Sequence, residues 1–415
     1  MKKFSIMSSV VEAENMPSLP AEMSLVKVRE YDEERDNASV AELERRCEVG
    51  QRGKPTLITD LMGDPICRLR NFSSHVMLVA EYGNRKEIVG TIRGCVKTVT
   101  MRMKSSNEFP IYVKLAYILG LRVSSKHRRL GIGTKLVQQL EEWCRQNGAD
   151  YAYMATDGGN QPSLNLFTLK CNYVKFRNPK VLVQPVHLHY KPLGSGITIA
   201  SVSPQLSESI YRRIFSHSEF FPEDIDYLLN NKLTLGTFMA LTKNSLRNWT
   251  PRTGDLPASF AMLSIWNTKE VYKLQVKGVS GLTYAACLGS RVIDALMPWL
   301  KFPTVPNILE NFGFYFLYGL HMEGKDGSNL MKSLCAFAHN IARDDKECRV
   351  LVAEVGQMDP VREAIPHWRK FSWDQDIWCI KNLRAAQGED NRISQEYWIK
   401  SQISSSVIFV DPRDN

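Results

Sequence analysis

The residues of this chain whose types and spacing carry the clearest chemistry are Lys126-His-Arg-Arg-Leu-Gly-Ile-Gly-Thr134, which stand between an apolar run and a helix-forming run. A loop of this kind at a helix start turns several backbone N–H groups toward one point. The helix dipole adds partial positive charge there, so a diphosphate is well held. Gly131 and Gly133 let the backbone approach the phosphates without a Cβ in the way. Lys126, His127, Arg128 and Arg129 add positive charge at the rim. Two other Gly-rich readings fail on spacing. A dinucleotide fingerprint needs a third glycine three positions after Gly133, where Leu136 stands. A nucleotide P-loop ends in Gly-Lys-Ser/Thr, whereas the order here is Gly133-Thr134-Lys135. The bland alternative, a helix start with merely solvated basic residues, is outweighed by the flanking pattern.

Further on, Asn160 and Ser163 fall three apart on one helical face, where both can reach a common ligand. Read alone, Asn160 is a helix cap. For a general base the residues offer Glu81 and Asp157 at strand ends, and neither is singled out, because carboxylates in such places are usually just solvated. Cys335 and His339 stand four apart on a helix, a spacing a metal could use. They have no companion pair nearby and read as core residues, so no metal site is expected.

These residues need a scaffold of alternating strands and helices. Leu25–Arg29 reads as a strand, Asp32–Cys47 as an amphipathic helix, and Leu57–Leu69 as a second helical stretch broken by Gly63 and Pro65. Val76–Ala80 and Ile88–Val99 form a hairpin around Gly83-Asn84, with a polar loop over Thr100–Pro110. Lys114–Val123 is the strand before the basic turn. The helix after it buries Leu136, Val137, Leu140, Trp143 and Cys144 and closes at Asn147-Gly148. Tyr151–Ala155 is the next strand and Pro162–Cys171 a shorter helix, which together predict a mixed sheet flanked by helices. A second block repeats the rhythm: strand Phe314–Leu320, helix Asn329–Arg343, strand Arg349–Val355, and a helix start at Asp359-Pro360. In its matching loop, His321-Met-Glu-Gly-Lys-Asp-Gly327, Glu323 and Asp326 would repel a diphosphate, so this copy is expected to be degenerate. The domain reading is an extension over 1–23 that is expected to be flexible, a ligand-binding domain over 24–186 and a linker over 187–196. A degenerate copy follows over 197–385, then a polar tail over 386–415 with a short docking strand at Val407–Val410.

Composition agrees with a globular protein of this size. The chain has 415 residues, 44% apolar and 23% charged, with a formal net charge of +9. No dense basic run with interleaved aromatics marks a nucleic-acid groove. No apolar run approaches membrane-spanning length. Nine scattered cysteines without a C-x-x-C pair suit reduced thiols inside the cell.

Arg128-x-x-Gly131-x-Gly133 between strand and helix resembles the acetyl-CoA signature of the GCN5-related N-acetyltransferases. Asn160-x-x-Ser163-x-x-Leu166-Phe167 with Cys171-Asn-Tyr173 is similar to that family's later cofactor motif. Val28–Asp32, Glu44–Gly50, Asp60–Cys67, Val89–Cys95, Phe220–Asp226, Asn230–Leu233 and Ile408–Arg413 narrow the resemblance to the plant HOOKLESS family of probable N-acetyltransferases. The resemblance implies tandem acetyltransferase folds with one working site. Acetyl-CoA is the expected co-substrate, held by Leu121, Arg122, Val123, Arg128, Arg129, Leu130, Gly131, Ile132, Gly133, Thr134, Asn160 and Ser163. It implies a splay between Leu115–Val123 and Tyr151–Ala155 that exposes backbone donors to the thioester. It also implies transfer to an amine, which could be a protein or histone lysine, in the control of differential growth and of hormone and light responses. Self-association and a nuclear site come with it, the residues themselves allowing nucleus or cytoplasm. Phe167 stands where many relatives place the Tyr that protonates the departing thiolate. That departure keeps a second reading open: a non-catalytic regulator that keeps the fold, binds CoA and oligomerises.

Overall fold

The computed structural model describes residues 25–47, 56–101, 109–249, 256–300, 304, 306–369, 372, 376–384 and 407–415. The N-terminal extension, most of the Thr100–Pro110 loop and much of the polar tail lie outside them. The first half runs β1 (Val26–Glu30), α1 (Glu33–Arg46), β2 (Thr56–Asp60), β3 (Ser74–Tyr82), β4 (Glu87–Met101), β5 (Ile111–Val123), α2 (Ile132–Gln146), β6 (Tyr151–Asp157), α3 (Gln161–Asn165) and β7 (Val174–Arg177). Then follow β8 (Lys180–Pro185), β9 (Ile197–Val202), α4 (Pro204–Phe215), α5 (Ile225–Asn230), β10 (Thr234–Thr242), α6 (Lys243–Asn248), β11 (Phe260–Asn267), β12 (Lys273–Lys277), α7 (Gly281–Leu296), β13 (Gly313–Glu323), α8 (Gly327–Asp344), β14 (Cys348–Val355) and β15 (Asp376–Asn382).

Local chemistry explains the helix limits. Asp32 accepts the Arg35 N–H to cap α1, whose first turn is acidic and last turn basic, as the helix dipole favours. In α2, Leu136, Val137, Leu140 and Cys144 recur on one side and are buried against the sheet.

Two mixed sheets are built alike. The first has the order β1-β3-β4-β5-β6-β15-β7 and the second β8-β14-β13-β11-β10-β9. In the first, β3, β4 and β5 are antiparallel neighbours and β5 pairs parallel with β6 after α2 crosses over. In the second, β10, β11 and β13 are antiparallel neighbours and β13 pairs parallel with β14 after α8 crosses over. A left-handed glycine interrupts the register at the matching place in each: Gly120 (φ 62°) in β5 and Gly319 (φ 60°) in β13.

The halves exchange strands. β15 comes from far down the chain yet lies between β6 and β7. β8, within the 24–186 span, instead pairs with β14 in the second sheet. Helix α2 packs on one face of the first sheet and α8 on one face of the second. The two remaining faces meet in a shared core that also holds Phe220, Phe221 and Phe409.

The expectation of a helix over Leu57–Leu69 is overturned. Thr56–Asp60 is a strand paired with β12, and a turn with left-handed Met62 and Gly63 follows it. Leu-Ile-Thr suits an extended chain once a partner is present, and that partner lies in the other half. Asp359-Pro360 opens a single 3₁₀ turn, Pro360–Glu363, rather than a longer helix. After β10, Lys243–Asn248 forms α6, capped by the Thr242 side chain. Ile408 makes one bridge to Glu219, and Ile408–Val410 are buried.

The bulge glycines have a measurable role. A Cβ on Gly120 would lie 2.5 Å from Nη1 of Arg93. Arg93 is buried and donates to the Pro65 carbonyl at 2.6 Å. A Cβ on Gly319 would lie 2.6 Å from the Tyr211 ring. Gly120→Ala and Gly319→Ala are each expected to lose about 1–3 kcal/mol of stability in urea unfolding, from left-handed strain plus the displaced neighbour.

Candidate functional site

The basic loop folds as the sequence predicts. After β5, a 3₁₀ turn over Ser125–His127 leads to Arg128, and the chain then passes through two left-handed residues, Arg129 (φ 66°) and Gly131 (φ 75°). A residue with a side chain adopts that conformation at a cost, so Arg129 marks a loop held in a particular shape. Gly131 is the N-cap of α2, and no side chain caps the helix there. The first-turn N–H groups of Ile132, Gly133 and Thr134 therefore remain as donors for a ligand. Arg128 and Arg129 are exposed, and among the described residues neither forms an ion pair. Leu130 is half-buried against the core beneath α2. At Gly133 a Cβ would stand 3.2 Å from Leu166, so the helix start and the later helix pack closely.

Strand pairing supplies the second part. β5 pairs with β6 only from Leu115↔Tyr151 to Ile118↔Met154, although β5 continues to Val123 and β6 to Asp157. Beyond Ile118 the β6-facing edge of β5 has no ladder among the described residues, while its other edge stays bonded to β4 as far as Val123↔Gly90. Leu121, Arg122 and Val123 lie on this stretch. The Leu121 carbonyl accepts from the Arg122 guanidinium at 3.2 Å, and the Val123 carbonyl from the Cys47 thiol at 3.6 Å. Arg122 is also paired with Glu44 at 3.3 Å.

Asn160 caps α3, accepting the Ser163 N–H at 3.4 Å and donating to Thr156 at 3.2 Å. Ser163 is half-buried. The helix continues as a π turn over Leu166–Lys170, and Asn172 ends it in the left-handed conformation (φ 60°), as its place in the motif predicts. Phe167 is buried with its ring edge-on to Tyr173 at 5.1 Å.

The two acids considered as bases are placed differently. Glu81 is not solvated: it is buried and bound to Arg29 at 2.6 Å. Asp157 is exposed and accepts the Gly159 N–H at 2.7 Å. Cys335 and His339 are core residues, with His339 Nε2 accepting the His187 N–H at 2.8 Å. No metal-binding cluster occurs among the described residues.

Sequence reasoning passed over a cavity of about 200 Å³ where β5 and β6 part, on the face of the first sheet away from α2. Tyr117, Tyr153, Glu354, Asp376 and Trp378 line it. Burial, with Asp376 and Asp414 nearby, pushes the Glu354 carboxyl up to about 8; Trp378 and Asn415 pull it back in part. Burial, with Asp157 opposite, raises Asp376 to about 6. One signal was readable. In Val350-Leu-Val-Ala-Glu-Val355 a lone carboxylate interrupts an otherwise apolar buried strand.

Residues 38–173 match the acetyltransferase (GNAT) family. The chain is 49% identical over 404 residues to "Probable N-acetyltransferase HLS1" of Arabidopsis thaliana, covering 93% of this chain and 99% of that protein. It is 40% identical over 427 residues to "Acetyl transferase GW6a" of Oryza sativa subsp. japonica, covering 94% of this chain and 97% of that one. Among solved structures, Saccharomyces cerevisiae N-myristoyltransferase with bound myristoyl-CoA aligns with a TM-score of 0.50 and 9% identity, over 92% of this chain and 85% of that chain, a likeness of fold alone. On this similarity along nearly its whole length, the chain belongs to the HLS1-type probable N-acetyltransferases of the GNAT acetyltransferase family.

Proposed function

We propose that the chain transfers an acetyl group from acetyl-CoA to a primary amine. The observation that carries this reading is the start of α2 at Gly131, where Arg128 and Arg129 form no ion pair and the β6-facing edge of β5 beyond Ile118 has no neighbouring strand among the described residues. A diphosphate fits the N–H groups of residues 131–134, with Arg128 and Arg129 at the rim. A pantetheine arm fits along Leu121–Val123 as an added strand would. Asn160 and Ser163 flank the same end of β6. The counterpart loop in the second half starts α8 at Asp326 and carries Glu323, which disfavours an anion there. By family resemblance, the physiological form of this reading is acetylation of a histone or other protein lysine in the nucleus, in the control of growth.

Calorimetric titration of acetyl-CoA tests it. The wild type should bind in the micromolar range, and an Arg129→Glu, Gly131→Asp double variant about 100-fold more weakly, since it puts two negative charges where the diphosphate lies. A folded wild type that binds no acetyl-CoA would sink the proposal. The rival, a regulator that binds CoA without turnover, draws on Phe167, which has no proton to give a leaving thiolate. Binding without thiol release for any amine would favour it.

A further inference from the structure

We infer that the cavity between the parted strands and the second sheet seats the acceptor, a slender primary alkylammonium, and that Glu354 takes the proton it must lose; this rests on the acyl-CoA reading above. Position is the first argument. The cavity opens beside Ala155 and Thr156, next to the point where the β5–β6 ladder ends, on the face opposite α2. A thioester led along the free edge of β5 would reach this point from the α2 side. The amine can then approach the carbonyl carbon from the other side, through the cavity.

The second argument is an unmet need. Glu354 is 8% exposed, it lines the cavity, and its Oε1 has no hydrogen-bond partner among the described residues. The Trp378 indole N–H, also in the lining, lies near the Glu354 carboxyl without closing a full hydrogen bond to it, and the Asn415 side chain lies beside them. A buried carboxyl oxygen left without a full partner in a folded protein calls for a water, an ion, a bound group or a catalytic role to account for it. Two of the other charged groups in the lining, Asp414 and Arg68, have partners of their own, although Arg68 has no carboxylate among the described residues. Asp414 is bound by Lys97 at 2.6 Å and by the Tyr153 hydroxyl at 2.6 Å, and Arg68 donates to the Asp414 carbonyl. Asp376 faces Asp157 across the β15–β6 ladder. Of the side-chain carboxyls in the lining, Glu354 and Asp376 form no ion pair among the described residues, and an arriving ammonium supplies a counter-charge. Tyr117, Tyr153 and Trp378 supply an aromatic wall to the same cavity.

Size limits the acceptor. A water occupies about 30 Å³, so the cavity holds a chain of a few methylenes ending in nitrogen, free or at the tip of a lysine side chain. Chemistry then follows from proton affinity. A carboxyl held near neutrality is a better match for an amine proton than a solvated one. In the step, R–NH₃⁺ gives one proton to Glu354, and the freed nitrogen pair attacks the thioester carbonyl. The C–N bond forms, the C–S bond breaks, and a second proton from nitrogen goes to the departing thiolate. Glu354 returns its proton to solvent. The sum is amide, CoA thiol and one proton.

The test uses the full chain with acetyl-CoA and two probe acceptors, n-butylamine and N-acetyl-lysine methylamide, with thiol release followed from pH 6 to 9. The wild type is expected to turn over at least one of them. The faster probe tells whether a free amine or a lysine tip is preferred. Glu354→Gln should lower kcat/KM for that probe about 100-fold and abolish an inflection near pH 8, with acetyl-CoA affinity unchanged within two-fold. Glu354→Asp should keep the inflection and part of the rate. A Glu354→Gln protein with the wild-type rate and pH profile overturns the assignment. So does a wild type that binds acetyl-CoA yet accelerates neither probe. Failure to bind acetyl-CoA would instead overturn the reading on which the assignment rests.

Discussion

Replacing Lys97 by methionine is expected to cost about 3–5 kcal/mol of unfolding free energy, the usual penalty for leaving a buried charge without its partner. Lys97 lies on β4 with its side chain 2% exposed, 2.6 Å from Asp414 and 3.3 Å from Asp411. Arg413, between those two acids, binds Asp411 at 2.8 Å and reaches Asp224 in the second half at 2.6 Å. Phe409, just before them, packs edge-on to Phe215 at 5.2 Å and Phe221 at 5.2 Å. The segment 408–414 therefore joins the two halves, with Lys97 as the first sheet's anchor for it. Arg413 and Lys97 hold the Asp411 carboxyl well below the usual range. Its contribution is full above the unfolded aspartate range and is lost as pH falls from there toward the lower folded value. A double variant, Lys97→Met with Asp414→Asn, should recover part of the loss, because the stranded charge is gone. Urea unfolding of the three proteins at pH 7 decides the matter. A loss under about 1 kcal/mol in Lys97→Met would show that solvent reaches these acids and the clip is weak.

The parts legible in the sequence are those whose cause is local. The apolar face of α2, the Asp32 cap, the Asn172 helix end and the Arg128–Gly133 loop each depend on residues within a few positions of one another. The repeated strand–helix–strand order could be read for the same reason. What escaped depends on distant partners. Thr56–Asp60 reads as helix until β12 is beside it, and nothing in Asp376–Asn382 announces that it will enter the first sheet next to β6. Glu81 looked solvated because Arg29 and Asp36, which bury it in an ion-paired cluster, come from β1 and α1. The cavity joins β5, β6, β14, β15 and the segment after Val407, so its chemistry exists only once the halves have exchanged strands. The 24–186 and 197–385 spans describe runs of sequence, whereas each sheet borrows a strand from the other run.

A chain that keeps a carboxyl in such a place loses stability there, and this gives the last expected result. The Glu354 carboxyl stands at about 8 in the fold, against 4.5 for an ordinary glutamate. The folded state thus binds the proton more tightly than the unfolded one. Stability from this group is full below pH 4.5 and is lost as pH rises toward 8. At about 1.4 kcal/mol per unit, Glu354→Gln should be more stable than the wild type by on the order of 3–5 kcal/mol at pH 9. The two should differ by less than about 1 kcal/mol at pH 5. Asp359 and Asp376, both raised to about 6 by burial, keep a decline below neutrality in both proteins, so the difference isolates Glu354. Urea unfolding at pH 5, 7 and 9 reads it without any substrate. If the variant were the less stable protein at every pH, the carboxylate would be a structural partner in the fold. If it gains stability as it loses turnover, the fold is holding a carboxyl whose ionised form it leaves unsatisfied, as the acceptor proposal expects.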